Sequence, residues 1–268
     1  MAQRPGFPAR MDWPLRNADA PKKIANSQDQ VRATGRKDQK PGSMVPAQGH
    51  GLDSQAVRAR MVRQLAQHGI ANRDLLAAMG AIERHRFVDS ALVNQAYEDT
   101  SLPIGLSQTI SKPSVVARMI ELLLQGRDEG QGVKMGRVLE VGTGCGYQAA
   151  VLGRLAREVY SIERLRGLHD KARQNLRPFR LANLHLLLGD GMQGYAKGAP
   201  YAGIIAAAGG HAVPQDWIDQ LAVGGRIVAP METNAGQQAL VVLDKLEQGV
   251  RRSVLEAVHF VPLKSGIA

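Results

Sequence analysis

The stretch VLEVGTGCGY, residues 138–147, decides the predicted fold. A short apolar run that favours a β-strand leads directly into Gly142, Gly144 and Gly146, and a helical pattern follows. A strand, a glycine-rich turn and a helix are typical of a doubly wound α/β sheet, where ligands bind beyond the carboxyl ends of the strands. Because a glycine backbone can approach a ligand where a Cβ would collide, this glycine turn (residues 142–146) is the first candidate ligand site.

Strand-like runs alternate with helical stretches over the rest of the chain. The runs are 138–142, 159–163, 184–190, 203–208, 226–230 and 239–245, and the helical stretches are 146–156, 165–177 and 214–222. This alternation predicts right-handed βαβ units and a parallel sheet covered on both faces. The last two strands, about 237–245 and 253–262, are joined without a helix, so we expect an antiparallel edge. The fold class is therefore α/β, with a Rossmann-like, doubly wound, mostly parallel sheet.

The first fifty residues differ in composition from the rest. Residues 1–50 hold nine Lys or Arg against four Asp, which is half of the net charge of +10, and six of the thirteen prolines. They contain almost no Val, Ile or Leu, and cannot bury enough apolar surface to offset the ordering entropy. We expect a disordered basic tail. A weak contact of this tail with nucleic acid is less favoured, because it lacks interleaved aromatic residues and a dense basic run.

Residues 51–268 form the predicted folded domain. Asp53 and Ser54 can cap a first helix, and helical spacing continues over about 72–85 and 90–96. We therefore expect a helical cap and active-site loop over 51–112, and a Rossmann-like core over 113–268.

Composition also limits the classes of protein. There is no uncharged apolar run of about 18 residues and no secretory signal, so we expect a cytoplasmic protein without a membrane span. The single cysteine, Cys145, excludes an intramolecular disulfide and a thiolate-rich zinc site, and we expect no metal.

Acidic residues follow the glycine turn at the ends of the next strands. Glu163 ends the second strand, where it can accept hydrogen bonds from ribose hydroxyls. A dinucleotide fingerprint would need a third glycine at the position of Tyr147, so the pattern E-V-G-x-G-x-G instead resembles class I S-adenosylmethionine-dependent methyltransferases. Asp190 and Gly191 close the third strand, where such enzymes place an acid or amide near the adenine amino group. Glu140 lies inside the first strand and needs a partner, either loop amides or the methionine part of the cofactor.

A more specific resemblance lies upstream. Residues 84–116 read RHRFVDSALVNQAYEDTSLPIGLSQTISKPSVV, which is similar to the protein-L-isoaspartate O-methyltransferase family in its R-F-V, A-Y-E-D, L-P-I-G and Q-T-I-S-x-P motifs. Further matches extend the resemblance over about residues 55–263. It implies a repair enzyme that moves a methyl group from S-adenosylmethionine to the free α-carboxylate of L-isoaspartyl residues in damaged proteins. The ester then collapses to a succinimide, which opens partly to aspartate.

The resemblance also assigns the site residues. The active-site hydroxyl falls on Ser111, although a serine before Lys112 and Pro113 can also be a helix N-cap. The substrate set falls on Thr109, Ile110 and Gln238, and we expect the 102–111 loop and the region after Pro230 to line the groove. The cofactor set falls on Glu140, Gly142, Thr143, Gly144, Gly146, Glu163, Arg164, Asp190 and Gly191.

Three positions depart from the family pattern. Ala202 stands where the family usually has aspartate, and we expect its loss to weaken support of the cofactor loop. Met231 and Glu232 replace a valine-glycine pair, which puts the peptide groove in doubt. Two alternatives therefore stay open: a class I methyltransferase acting on another carboxylate or small molecule, and an inactive family member acting as a binding protein. We expect a monomer whose partners are isoaspartyl peptides and proteins.

Overall fold

A computed structural model describes residues 55–125, 134–233 and 236–268. The predicted tail, residues 1–50, and the predicted cap at Asp53 and Ser54 lie outside the described residues. The α-helices are α1 (Gln55–Gln67), α2 (Arg73–Ala81), α3 (Pro113–Leu124), α4 (Tyr147–Leu155), α5 (Arg166–Leu176) and α6 (Gln215–Gln220). The strands are β1 (Leu102–Gly105), β2 (Gln108–Ile110), β3 (Met135–Val141), β4 (Ala156–Glu163), β5 (Leu184–Leu188), β6 (Tyr201–Ala206), β7 (Leu221–Glu232), β8 (Gln238–Lys245) and β9 (Val250–Val258).

Seven of these strands form one sheet in the order β5-β4-β3-β6-β7-β8-β9. The strands from β5 to β7 pair in parallel, and β8 and β9 pair antiparallel at one edge. This confirms the predicted fold class. The chain order changes direction at β3, where Val141 pairs with Ile162 on one side and with Ala206 on the other. The carboxyl ends of three strands therefore meet at the topological switch point, where doubly wound sheets bind their ligands.

The helices before the sheet are joined to it by buried apolar and polar contacts. Leu75 and Met79 of α2 are fully buried, as their helical spacing predicts. The Glu121 carboxylate on α3 accepts hydrogen bonds from the backbone N–H groups of Ala71 and Asn72, at 2.6 and 3.1 Å. Because these two residues lead directly into α2, the bonds fix the start of α2 against α3. None of the helices within the described ranges combines the length and the apolarity needed to cross a bilayer.

Two predicted helices are shorter than expected. The helix predicted over 72–85 ends at Ala81, because Ile82 takes an extended backbone and the chain turns into a short 3₁₀ segment at Arg84–Phe87. The helix predicted over 90–96 is a 3₁₀ segment, Ser90–Gln95.

The last strand also ends earlier than predicted, at Val258. The residues that follow (the C-terminal segment, 259–268) leave the sheet edge because the Gln238 amide holds Phe260. It accepts from Phe260 N at 2.7 Å and donates to Phe260 O at 3.2 Å. Gly209 then bonds the segment on both sides, donating to Val261 O at 2.8 Å and accepting from Leu263 N at 2.7 Å. These contacts return the chain to the loop that follows β6.

Candidate active site

A cavity of about 480 Å³ lies at the carboxyl ends of β3, β4 and β6. Its walls are the hairpin of β1 and β2, the glycine turn, residues 162–165 and residues 261–264 of the C-terminal segment. Sites for small molecules in proteins usually measure roughly 300 to 1,000 Å³. The cavity therefore has the size and position expected of a ligand site in this fold.

The three glycines of the turn all have left-handed backbone conformations. The φ angles are 91° at Gly142, 56° at Gly144 and 95° at Gly146, a region that side chains rarely adopt. A Cβ on Gly146 would lie 2.8 Å from Cδ1 of Leu176 on α5. Gly146 is therefore needed because α5 packs closely against the turn. The sequence analysis gives a different reason for this glycine, the close approach of a ligand.

The Glu163 carboxylate joins the glycine turn to the end of β4. One oxygen accepts from Gly144 N and the other from Leu165 N, both at 2.9 Å. Glu163 is buried and lines the cavity. Its carboxylate thus fixes the loops on either side of the place where a ribose is expected.

Glu140 lies beneath the glycine turn and is fully buried. Ser161 Oγ donates to one of its oxygens and also lies 2.6 Å from Thr143 Oγ1. Burial, reinforced by the nearby charge of Glu163, raises the pKa of Glu140 to about 8. Thr143 lines the cavity, whereas Glu140 is not among its lining residues. Glu140 therefore supports the turn through Ser161, and a direct contact with the cofactor stays a prediction.

Ser111 lines the cavity directly after β2, and its hydroxyl has no hydrogen-bond partner among the described residues. The helix-capping alternative is wrong. The N-cap position of α3 is Lys112, and the first turn is capped by Asp99, whose carboxylate accepts from Ser114 N and Ser114 Oγ, each at 2.8 Å. The Ser111 hydroxyl therefore remains available to a ligand in the cavity.

The predicted substrate residues divide into two groups. Thr109 and Ile110 lie on β2 and line the cavity. Gln238 is not among the lining residues, because both ends of its amide bond Phe260. The expected wall after Pro230 is also absent from the lining, since Met231 is fully buried in the core. The C-terminal segment forms that wall instead, and a substrate contact of Gln238 stays a prediction.

The remaining predicted cofactor residues meet the same segment. Arg164 Nε donates to Gly266 O at 2.9 Å, and Asp190 Oδ2 accepts from Gly266 N at 2.7 Å. Asp190 Oδ1 accepts from Met192 N at 2.9 Å. Arg164 and Gly191 line the cavity, whereas Asp190 does not. The structure thus gives Asp190 a role in holding the cavity wall, and its contact with adenine stays a prediction.

A model of the protein-L-isoaspartate(D-aspartate) O-methyltransferase family matches residues 56–268. The chain belongs to this family. The match covers every described element except the first residue of α1, and it confirms the resemblance predicted from the motifs.

Individual members of the family agree with this assignment. The chain is 62% identical to a protein-L-isoaspartate O-methyltransferase of Methylibium petroleiphilum, over 81% of each chain. It is 60% identical to one of Leptothrix cholodnii, over 81% of this chain and 77% of that one. A solved protein-L-isoaspartate O-methyltransferase has 27% identity and a TM-score of 0.70, covering 78% of this chain and 67% of its own.

A more distant structure supports the fold. A Plasmodium falciparum protein given the abbreviation PCMT was solved in complex with S-adenosyl-L-homocysteine. It has 22% identity and a TM-score of 0.66, and the match covers 77% of this chain and 98% of that one.

The departures from the family pattern lie away from the cavity. Ala202 is at the amino end of β6, whereas the cavity is at the carboxyl end, where Ala207 and Ala208 line it. Ala202 therefore does not line the cavity, and its effect on the cofactor loop stays a prediction. Glu232 pairs with the exposed His211 at 2.6 Å.

Sequence reasoning missed three supports of the site. Lys171 Nζ on α5 donates to Ile104 O at 2.9 Å and so holds the β1–β2 hairpin. The C-terminal segment and Arg84 are the other two. Arg84 lies just before the R-F-V motif, and the C-terminal segment contains the F-V-P-L motif. Nothing in the spacing of either motif indicates a wall of the cavity.

Proposed function

We propose that this protein transfers a methyl group from S-adenosylmethionine to the free α-carboxylate of L-isoaspartyl residues in proteins and peptides. The observation that carries the proposal is the Ser111 hydroxyl, which has no hydrogen-bond partner in the described part of the chain and lines the same cavity as the glycine turn and Glu163. Membership of the isoaspartate methyltransferase family supports the choice of substrate.

The residues around the cavity fit the cofactor. The glycine turn and Thr143 lie at the strand ends, and the Glu163 carboxylate is placed to accept from ribose hydroxyls. Gly191 lines the cavity where an adenine would pass. When bound, S-adenosylmethionine supplies a methyl group on a positively charged sulfonium.

The chain's own task is to orient the carboxylate and exclude water. An α-carboxyl group has an ordinary pKa of about 3.5, so it is already ionised at pH 7 and needs no general base. Ser111 can donate a hydrogen bond to one carboxylate oxygen and so hold the other towards the methyl group, which is an effect of proximity and orientation. Ile104 and Ile110 line the cavity with apolar surface and help to exclude water.

The hairpin of β1 and β2 suits a variable peptide. Its tip residues Leu106 and Ser107 line the cavity and have positive φ angles of 50° and 57°. Ile104, just before the tip, is held by Lys171, which also pairs with Asp89 at 2.9 Å. We therefore place the peptide along this hairpin, where backbone contacts can accept many flanking sequences.

A pair of serine variants tests the role of Ser111. Ser111→Ala should lower kcat/KM for an isoaspartyl peptide roughly 10- to 100-fold, because a hydrogen bond to a charged group is worth about 1.5 to 3 kcal/mol. Its Tm should stay near that of the wild type, since no bond within the described residues is lost. The measurement is transfer of labelled methyl groups, combined with thermal unfolding.

Ser114→Ala is the matched control. It removes the hydroxyl that donates to Asp99, so it should lower Tm and spare kcat/KM. Unchanged activity in Ser111→Ala would contradict the role given to that hydroxyl.

A further inference from the structure

Arg84 is a fully buried arginine directly behind the cavity wall. Its Nε donates to Ala96 O and its Nη2 donates to Ser111 O, both at 2.8 Å. Its guanidinium carbon lies 4.7 Å from the ring centroid of Tyr147, over the ring. Ser111 and Tyr147 both line the cavity, so this side chain contacts two of its walls from the inside.

The charge of Arg84 has no anionic partner within the described residues. Its hydrogen bonds go to carbonyl oxygens, its other polar contact is with the Tyr147 side chain, and Nη1 has no hydrogen-bond partner among those residues. Of its electrostatic neighbours Tyr147, Cys145 and Asp99, Asp99 is the one carboxylate, and it caps Ser114 and lies 3.8 Å from Lys112 Nζ.

The other titratable neighbours of Arg84 are neutral at pH 7. Burial raises the pKa of Tyr147 to about 12 and that of Cys145 to about 11. Burial lowers the pKa of Arg84, but a guanidinium stays charged in proteins. A buried cation without a counter-ion is costly, so its presence beside the cavity calls for an anion that arrives with the substrate.

We propose that Arg84 is a positioning residue whose buried charge serves as the counter-ion of the substrate's α-carboxylate. It acts through the wall formed by Ser111 and Tyr147, while its bond to Ser111 O fixes the loop that presents the hydroxyl. This inference rests on the proposed function. In a buried, poorly screened site, such a charge favours a carboxylate over a neutral group of the same shape.

The test compares two peptides that differ only in this charge. One is a β-linked isoaspartyl peptide with a free α-carboxylate, and the other carries an α-carboxamide. Their affinities for the complex with S-adenosylhomocysteine are measured, so that no turnover occurs. The preference for the carboxylate is the ratio of the two affinities. In Arg84→Gln this ratio should fall about tenfold or more, while the affinity for the carboxamide changes less than about threefold.

Two further variants separate charge from structure. Arg84→Lys keeps the charge, so the carboxylate preference should stay within about threefold of the wild type, although kcat falls with the lost Ser111 contact. Arg226→Gln removes a partly buried arginine that pairs with Asp244 at 2.6 Å, and should leave the preference unchanged. Lys264→Met tests the exposed cation in the cavity wall, and should also leave it unchanged.

The outcomes are distinct. Equal weakening of both peptides by Arg84→Gln would overturn the proposal, because a purely structural role affects both alike. Loss of the preference in Lys264→Met instead of Arg84→Gln would also overturn it. If Arg84→Gln does not fold, Arg84→Lys decides: a retained preference supports the counter-ion, and a lost one with intact affinity for S-adenosylhomocysteine refutes it. A wild-type protein that does not methylate isoaspartyl peptides would refute the proposed function instead.

Discussion

Replacing Glu163 by glutamine should weaken both the fold and the binding of the cofactor. The carboxylate accepts from Gly144 N and Leu165 N at 2.9 Å each, in a buried position. Glutamine keeps one acceptor oxygen and turns an NH₂ group towards the other amide, so one bond is lost and a buried donor is left unpaired. The expected cost is about 2 to 3 kcal/mol, since bonds to charged groups contribute about 1.5 to 3 kcal/mol each. For a domain of this size, Tm should fall by about 5 to 10 °C.

The same change should lower the affinity for S-adenosylhomocysteine about tenfold, because a neutral amide accepts ribose hydroxyls more weakly than a carboxylate. Thermal unfolding and titration calorimetry give the two numbers. Glu158→Gln is the control: Glu158 lies towards the other end of β4, where it contacts the exposed Arg137, Tyr160 and His185, so its loss should leave the affinity unchanged and lower Tm less than Glu163→Gln does. If Glu163→Gln lowers Tm but leaves the affinity intact, the carboxylate only joins the loops and the ribose contact is refuted.

The remaining predictions concern the glycine turn and the carboxyl group beneath it. Gly146→Ala should lower stability by about 2 to 4 kcal/mol, because it adds a strained left-handed residue and a contact 2.8 Å from Leu176. Gly249→Ala, with a φ of 82° and open space, should cost only about 1 to 2 kcal/mol in the same denaturant titration; equal losses would refute the packing account. Burial raises the pKa of Glu140 to about 8, so the folded protein favours the protonated carboxyl group. The stability that this group contributes is present below pH 4.5 and is lost as pH rises to about 8. The Tm of the wild type should therefore fall relative to Glu140→Gln between pH 5 and 8, and parallel pH profiles would contradict the raised pKa.

The sheet and the glycine turn could be predicted because their signals are local. The β3 strand and the turn at 142–146 follow directly from the alternation of apolar runs and glycines, and Glu163 follows from its place at a strand end. The capping of α3 could not be predicted in this way. Asp99 lies fifteen residues before Ser114 and reaches it only through the β1–β2 hairpin, so Ser111 had the stronger local capping signal.

The C-terminal wall was missed for a similar reason. Phe260 and Val261 continue the apolar pattern of β9. The bonds that turn the chain away from the edge join it to the distant residues Gln238 and Gly209. Arg84 was missed because its partners, Ser111 and Tyr147, are brought to it by tertiary packing. Each of these contacts joins segments that are distant in sequence and therefore leaves no periodic signal.

The most direct test of the proposed function is methyl transfer to a matched pair of peptides. The protein is incubated with labelled S-adenosylmethionine and either an L-isoaspartyl peptide or the same sequence with normal aspartate. The isoaspartyl peptide should be labelled, with the aspartyl peptide at background, because only the first presents a free α-carboxylate on a β-linked backbone. Equal labelling of both peptides, or no labelling of either, would contradict the account.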